Sequence, residues 1–107
     1  MSIFVEVMKE ELDRNLRKQA IFEKELNSLD KSYLSICKID GKEYLYKKRR
    51  DKSRIISIYV GPVGSNEAIS AKAEREEYLK IKESLKYLKK EEKSFQKAIS
   101  IFEKSNQ

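Results

Sequence analysis

Six cationic side chains fall within eight residues, at Lys47, Lys48, Arg49, Arg50, Lys52 and Arg54, with Asp51 the single acid among them. Arginine forks onto two oxygens of a phosphate or carboxylate, and lysine supplies a point charge, so such a cluster suits phosphate-bearing partners. Close to it in sequence stand Tyr44, Tyr46 and Tyr59. Tyrosine rings near basic groups can stack on bases with little regard to sequence. Each feature also has a plainer origin. Lysine on a strand edge resists edge-to-edge aggregation, and tyrosine is a favoured strand residue that makes stabilising cross-strand pairs.

Other chemistry is thinly represented. The chain has no His and one Cys, so it offers no imidazole base, no internal disulfide and no Cys-pair zinc site. Cys37 has nothing nearby in sequence to activate it and reads as a small buried residue. The carboxylate pairs Glu10-Glu11, Glu76-Glu77 and Glu91-Glu92 are neighbours on helices, where adjacent side chains do not face each other. Gly61-Pro62-Val63-Gly64 lacks the glycine spacing and lysine of a phosphate loop. The expectation is a non-catalytic binding module with no metal, no cofactor and no small-molecule substrate.

Charge is unevenly spread. Residues 38–54 carry 8 basic and 3 acidic side chains, which supplies most of the net charge of +6. Such an asymmetry bears on partners rather than on fold. The hydrophobic and charged fractions are both 39%, so one narrow core is expected, built on long amphipathic helices. The apolar stretch Ile3–Met8 is too short for a membrane span or a signal peptide, and a reducing cytoplasmic setting is the default.

The elements that must position these residues follow from periodicity. Over residues 3–30, Val5, Met8, Leu12, Leu16, Phe22, Leu26 and Leu29 recur at helical steps, with Gln19 in the one long gap. Over 32–60 the period changes to that of strands. Asp40-Gly41 is a strong hairpin signal between Tyr33–Ile39 and Lys42–Arg49. A second turn over Arg50–Ser53, centred on Asp51-Lys52, leads into Arg54–Val60. That placement sets Arg49 opposite Arg54, Tyr46 opposite Ser57 and Leu45 opposite Ile58. One face of the resulting three-stranded meander gathers Leu34, Ile36, Leu45, Ile56, Ile58 and Val60, a core face. The other gathers Tyr33, Ser35, Cys37, Tyr44, Tyr46, Lys48, Ile55, Ser57 and Tyr59.

After a turn at 61–65, Ser65 or Asn66 caps a second helix over 66–104. Tyr78, Ile81, Leu85, Leu88, Glu92, Phe95, Ile99 and Phe102 mark a heptad seam, polar only at Glu92. Glu92 is expected to meet a Lys or Arg across that seam. The tail of the seam needs cover, either from Ile3-Phe4-Val5 or from a second copy in a homodimer. The fold class is therefore α+β: a long helix, a three-stranded antiparallel meander and a long heptad-patterned helix. The two helices form an antiparallel hairpin with the sheet at one end, in a single domain over 1–107.

The run Gly41-Lys42-Glu43-Tyr44-Leu45-Tyr46, then Arg49 or Arg50, then Ser57-Ile58-Tyr59-Val60-Gly61-Pro62, resembles a hairpin of small uncharacterised bacterial, archaeal and phage proteins. There a glycine, an aromatic pair, a basic turn and Ser-x-Tyr-x-Gly precede a Glu/Lys-rich helix. A related hairpin occurs near the start of some transposases. The resemblance spans roughly residues 33–100 and implies a mobile-element or phage setting and nucleic-acid work; no catalytic residues carry over. The first expectation is accordingly a sequence-independent nucleic-acid-binding accessory protein. The alternative is a phage-encoded inhibitor that binds a host defence protein, as anti-CRISPR proteins do.

Overall fold

A computed structural model describes residues 3–105. The order of elements is α1 (Ile3–Ser28), β1 (Tyr33–Ile39), β2 (Lys42–Asp51), β3 (Arg54–Pro62) and α2 (Asn66–Ser105). This is the expected α+β arrangement of a long helix, a three-stranded antiparallel sheet and a long helix. No helix among the described residues is long and apolar enough to cross a membrane. The chain divides into two compact units. One comprises residues 1–28 and 81–107, the other 29–80, so α2 contributes residues to both.

In the helical unit, α1 lies antiparallel to residues 81–105 of α2. Lys9 pairs with Glu103 at 2.8 Å, and the Phe4 and Phe102 rings lie 5.0 Å apart. Val5, Met8 and Ile99 form a buried cluster, with Leu12, Phe95 and Ala98 packed on it. The tail of the α2 seam is thus covered by the N-terminal turns of the same chain. Ile81, Leu85 and Leu88 continue the buried stripe.

Two seam assignments need correction. Leu16 is 44% exposed, whereas Asn15 is buried. The α1 seam runs through Leu12, Asn15, Gln19 and Phe22 at steps of three and four, a heptad with two amides in it. Glu92 does not meet a cation across the seam. Its Oε1 accepts from Gln19 Nε2 at 2.9 Å. Gln19 also donates to Asn15 Oδ1 at 2.7 Å. Asn15 Nδ2 in turn reaches the Leu88 carbonyl at 2.9 Å and Glu91 Oε1 at 3.0 Å. Among the described residues no buried side-chain nitrogen or oxygen lacks a partner.

In the second unit the sheet order is β1-β2-β3. Leu45, 1% exposed, packs with Ala68 and Ala71 of α2, with Leu34 and Val60 alongside. The two alanines let the helix backbone lie close to the strands. The cap resolves to Ser65, whose Oγ accepts from the Ala68 N–H at 3.2 Å. The β1–β2 register is the expected one, with Ile39 opposite Lys42, Cys37 opposite Tyr44 and Ile36 opposite Leu45. Asp40 and Gly41 both take positive φ, as a type I′ turn requires.

The β2–β3 register differs from expectation by two residues. Asp51 stands opposite Arg54, Arg49 opposite Ile56 and Tyr46 opposite Tyr59. The turn is therefore Lys52-Ser53, and Arg50 and Asp51 are strand residues, not turn residues. A shift of two preserves which side chains share a face, because strand side chains alternate with period two. A bulge then intervenes. Tyr46 pairs with Tyr59 but Leu45 pairs with Gly61, leaving Val60 as the extra residue. The expected core face is covered only in part. Leu34, Leu45 and Val60 are packed, while Ile36 and Ile58 are 52% and 48% exposed. Cys37 is exposed rather than buried, because it points away from the face on which α2 lies.

Candidate nucleic-acid interface

The first strand β1 begins at Tyr33, opposite Lys48. Past that point β2 and β3 run on as a bare two-stranded ribbon through the pairs Arg49–Ile56, Arg50–Ile55 and Asp51–Arg54. Alternation puts Arg49, Asp51 and Arg54 on one face of this ribbon. Arg50 lies on the other face, with Ile55, and Lys48 precedes it there. Lys52 occupies the tip.

Backbone sterics make Lys52 an unusual tip residue. Its φ is +58°, and Ser53 has no positive φ. A positive φ at the first central position alone is the mark of a type II′ turn, where glycine is the usual occupant. For an L-residue this conformation costs about 1–2 kcal/mol. A lysine held there at a backbone cost fits a site where charge matters more than local stability.

The cations expected to act together do not all do so. Lys47 is tied down: its Nζ lies 3.1 Å from Asp30 Oδ2, and it is half-buried. Asp30 also accepts from the Ser32 N–H at 2.9 Å, an Asx turn joining α1 to β1. Hydrogen bonds from Ser32 foremost, and then the Lys47 ammonium, pull the Asp30 carboxyl down to about 2. Arg75, which the sequence reading did not single out, completes this structural cluster by donating to the Ser32 carbonyl at 3.1 Å. Other ion pairs include those of Lys9, Arg14, Arg17 and Lys89. Among the described residues, Lys48, Arg49, Arg50, Lys52 and Arg54 enter no ion pair, and all but Lys48 are exposed. Desolvating an unpaired cation against a phosphate breaks no existing protein contact.

The tyrosines gather on the sheet face away from α2. Tyr46 and Tyr59 meet edge-to-face with centroids 5.4 Å apart, and Tyr44 and Tyr59 lie 6.2 Å apart. Tyr44 and Tyr46 are half-buried in this cluster, while Tyr59 is 54% exposed. Edge-to-face packing stabilises the sheet and uses ring surface that a stacking platform would leave free. The helix-seam residues Tyr78, Ile81, Leu85, Leu88, Glu92, Phe95, Ile99 and Phe102 take no part in this surface. Tyr78 lies beneath the Arg75 guanidinium at 5.0 Å, and the others belong to the helical unit. Among the described residues, no group of three or more His, Cys, Asp or Glu is placed to hold a metal ion.

No family model, no curated protein and no solved structure matches the chain. What the ribbon can do stands on its own residues.

Proposed function

We propose that the protein is a non-catalytic nucleic-acid-binding accessory protein, of phage or mobile-element type, that grips phosphates through the β2–β3 ribbon. The observation that carries this reading is the set of five cations, Lys48, Arg49, Arg50, Lys52 and Arg54, outside every ion pair among the described residues, on a projecting element with one acid. Their contacts would be to backbone phosphates, so affinity is expected to vary little with base sequence.

The test is a binding titration with mixed-sequence nucleic acid over a range of salt. If about four cations each neutralise one phosphate, affinity falls roughly a hundred-fold between 50 and 200 mM salt. Neutralising Arg49 and Arg50 together flattens that dependence. The reading fails if no binding occurs at low salt, or if the double substitution leaves affinity unchanged. Affinity capture from lysate, with and without nuclease, adds a check: a stoichiometric protein that survives nuclease treatment, without direct nucleic-acid binding, would replace this reading with that of an inhibitor of a host protein.

A further inference from the structure

The shape of the ribbon narrows the class of nucleic acid, given the reading above. The part of β2–β3 free of β1 extends three residue pairs beyond Lys48–Ser57. At strand rise this is a projection of about 10 Å. The major groove of B-form DNA is about 8.5 Å deep and 12 Å wide, and it admits a two-stranded β-ribbon. The bare length therefore matches the depth of the groove, and the third strand begins where the groove wall would end.

The placement of charge agrees. A ribbon lying flat on one strand of a duplex needs cations on one face. Here Arg49 and Arg54 occupy one face, Arg50 and Lys48 the other, and Lys52 the tip. Cations on both faces of an inserted ribbon meet phosphates on both walls of a groove. The tyrosines do not offer the rival mode equally well, because Tyr44 and Tyr46 are committed to packing around Tyr59. The geometry points to double-stranded B-form DNA as the ligand, with the β2–β3 ribbon entering the major groove tip first.

A-form RNA provides the discriminating probe. Its phosphates are at least as dense, but its major groove is too deep and narrow for side chains to enter. Three probes of one sequence are compared at equal salt with the full chain: duplex DNA, duplex RNA and single-stranded DNA. The expected result is binding to duplex DNA at least about ten-fold tighter than to either other probe, since groove insertion adds contacts that charge alone does not supply. Two double variants then divide the ribbon by face, Arg49→Ala with Arg54→Ala, and Lys48→Ala with Arg50→Ala. Each is expected to lower the slope of log affinity against log salt by about 1.8, as the loss of two phosphate contacts would. Arg→Lys versions at 49, 50 and 54 keep the charge and hold the slope, and circular dichroism reports whether each variant folds.

Equal or tighter binding to duplex RNA or to single strands overturns the groove inference while leaving nucleic-acid binding in place. So does a result in which one face carries the whole salt dependence and the other none. Failure to bind any of the three probes removes both readings together.

Discussion

Two groups of polar side chains distinguish this molecule, and their surroundings are opposite. Between α1 and α2, the two amides Asn15 and Gln19 and the carboxylates of Glu91 and Glu92 are closed into one chain of hydrogen bonds, 2.7 to 3.0 Å long. On the β2–β3 ribbon, five cations stand outside every ion pair among the described residues. Neither group is explained by hydrophobic burial. The first is costly to leave incomplete, because each buried donor or acceptor must find a partner within the protein. The second is stable in water without a partner. Polar groups are paired within the protein in the first case and left to solvent in the second.

The sharpest way to break that contrast is at Asn15. Replacing it with Leu leaves Gln19, Glu91 and the Leu88 carbonyl each short of a partner, and a loss of about 1–3 kcal/mol is expected in urea unfolding. Changing Asn15 and Gln19 together to Leu should recover part of it, since this removes both ends of their shared hydrogen bond while the half-buried Glu91 and Glu92 turn to solvent. The single variant must be the less stable of the two. Register is the companion measurement, because one polar layer in a seam fixes how two helices align. Cysteine cross-linking across the seam should give one product in the wild type and several in the double Leu variant.

On the ribbon the same kind of change should have the opposite sign. Lys52→Gly removes a charge and relieves the positive φ at the tip. Stability is expected to rise by about 0.5–1 kcal/mol, the left-handed cost less the added freedom of glycine. Binding to nucleic acid should weaken in the same variant. A melt showing Lys52→Gly to be destabilised would mean that the lysine serves the turn rather than a ligand.

The smallest effect is expected at Asp30, which belongs to the paired class but sits at the surface. Its carboxyl is held at about 2, below its ordinary 3.8, by Ser32 and Lys47. The contribution to stability is present above about pH 4 and is lost as pH falls from there through about 2. Solvent exposure limits it to a few tenths of a kcal/mol. Asp30→Asn should lower stability near neutrality by that amount, leave it unchanged at about pH 2 and below, and so flatten the acid limb of a stability–pH curve.

How far these features were legible follows from what signals each one. The β1–β2 register came from Asp40-Gly41, whose residue types state their turn. The β2–β3 register was two residues out, because Lys52-Ser53 contains no glycine and nothing in its composition marks a II′ turn. The faces survived since the error was even. The Val60 bulge was invisible, having no glycine at the extra position. On α1, Leu16 was read into the seam because it is apolar; the true occupant, Asn15, is polar, and its burial depends on partners 73 and 76 residues away. The ribbon cations stand in the sequence as one basic run, and only Asp30, 17 residues away in the chain, separates Lys47 from the rest.

The bulge at Val60 has one further consequence. It lies between Tyr59 and Gly61, on the side of the sheet's pairing that leads to α2, and the turn at Lys52-Ser53 lies on the other side. The phase in which the chain leaves the sheet is therefore reset after the ribbon has returned. Adding one residue to each strand of the ribbon, in matched positions, lengthens the arm by about 3.4 Å and alters nothing downstream. Deleting Val60 instead would leave Gly61 and Pro62 opposite Leu45 and Tyr44, but would remove a side chain packed beside Leu45 and the local bend that the extra residue imposes. Reach and anchorage are thus separate variables in this hairpin: the arm sets how far the tip extends, while Val60 stays packed beside Leu45 at its root.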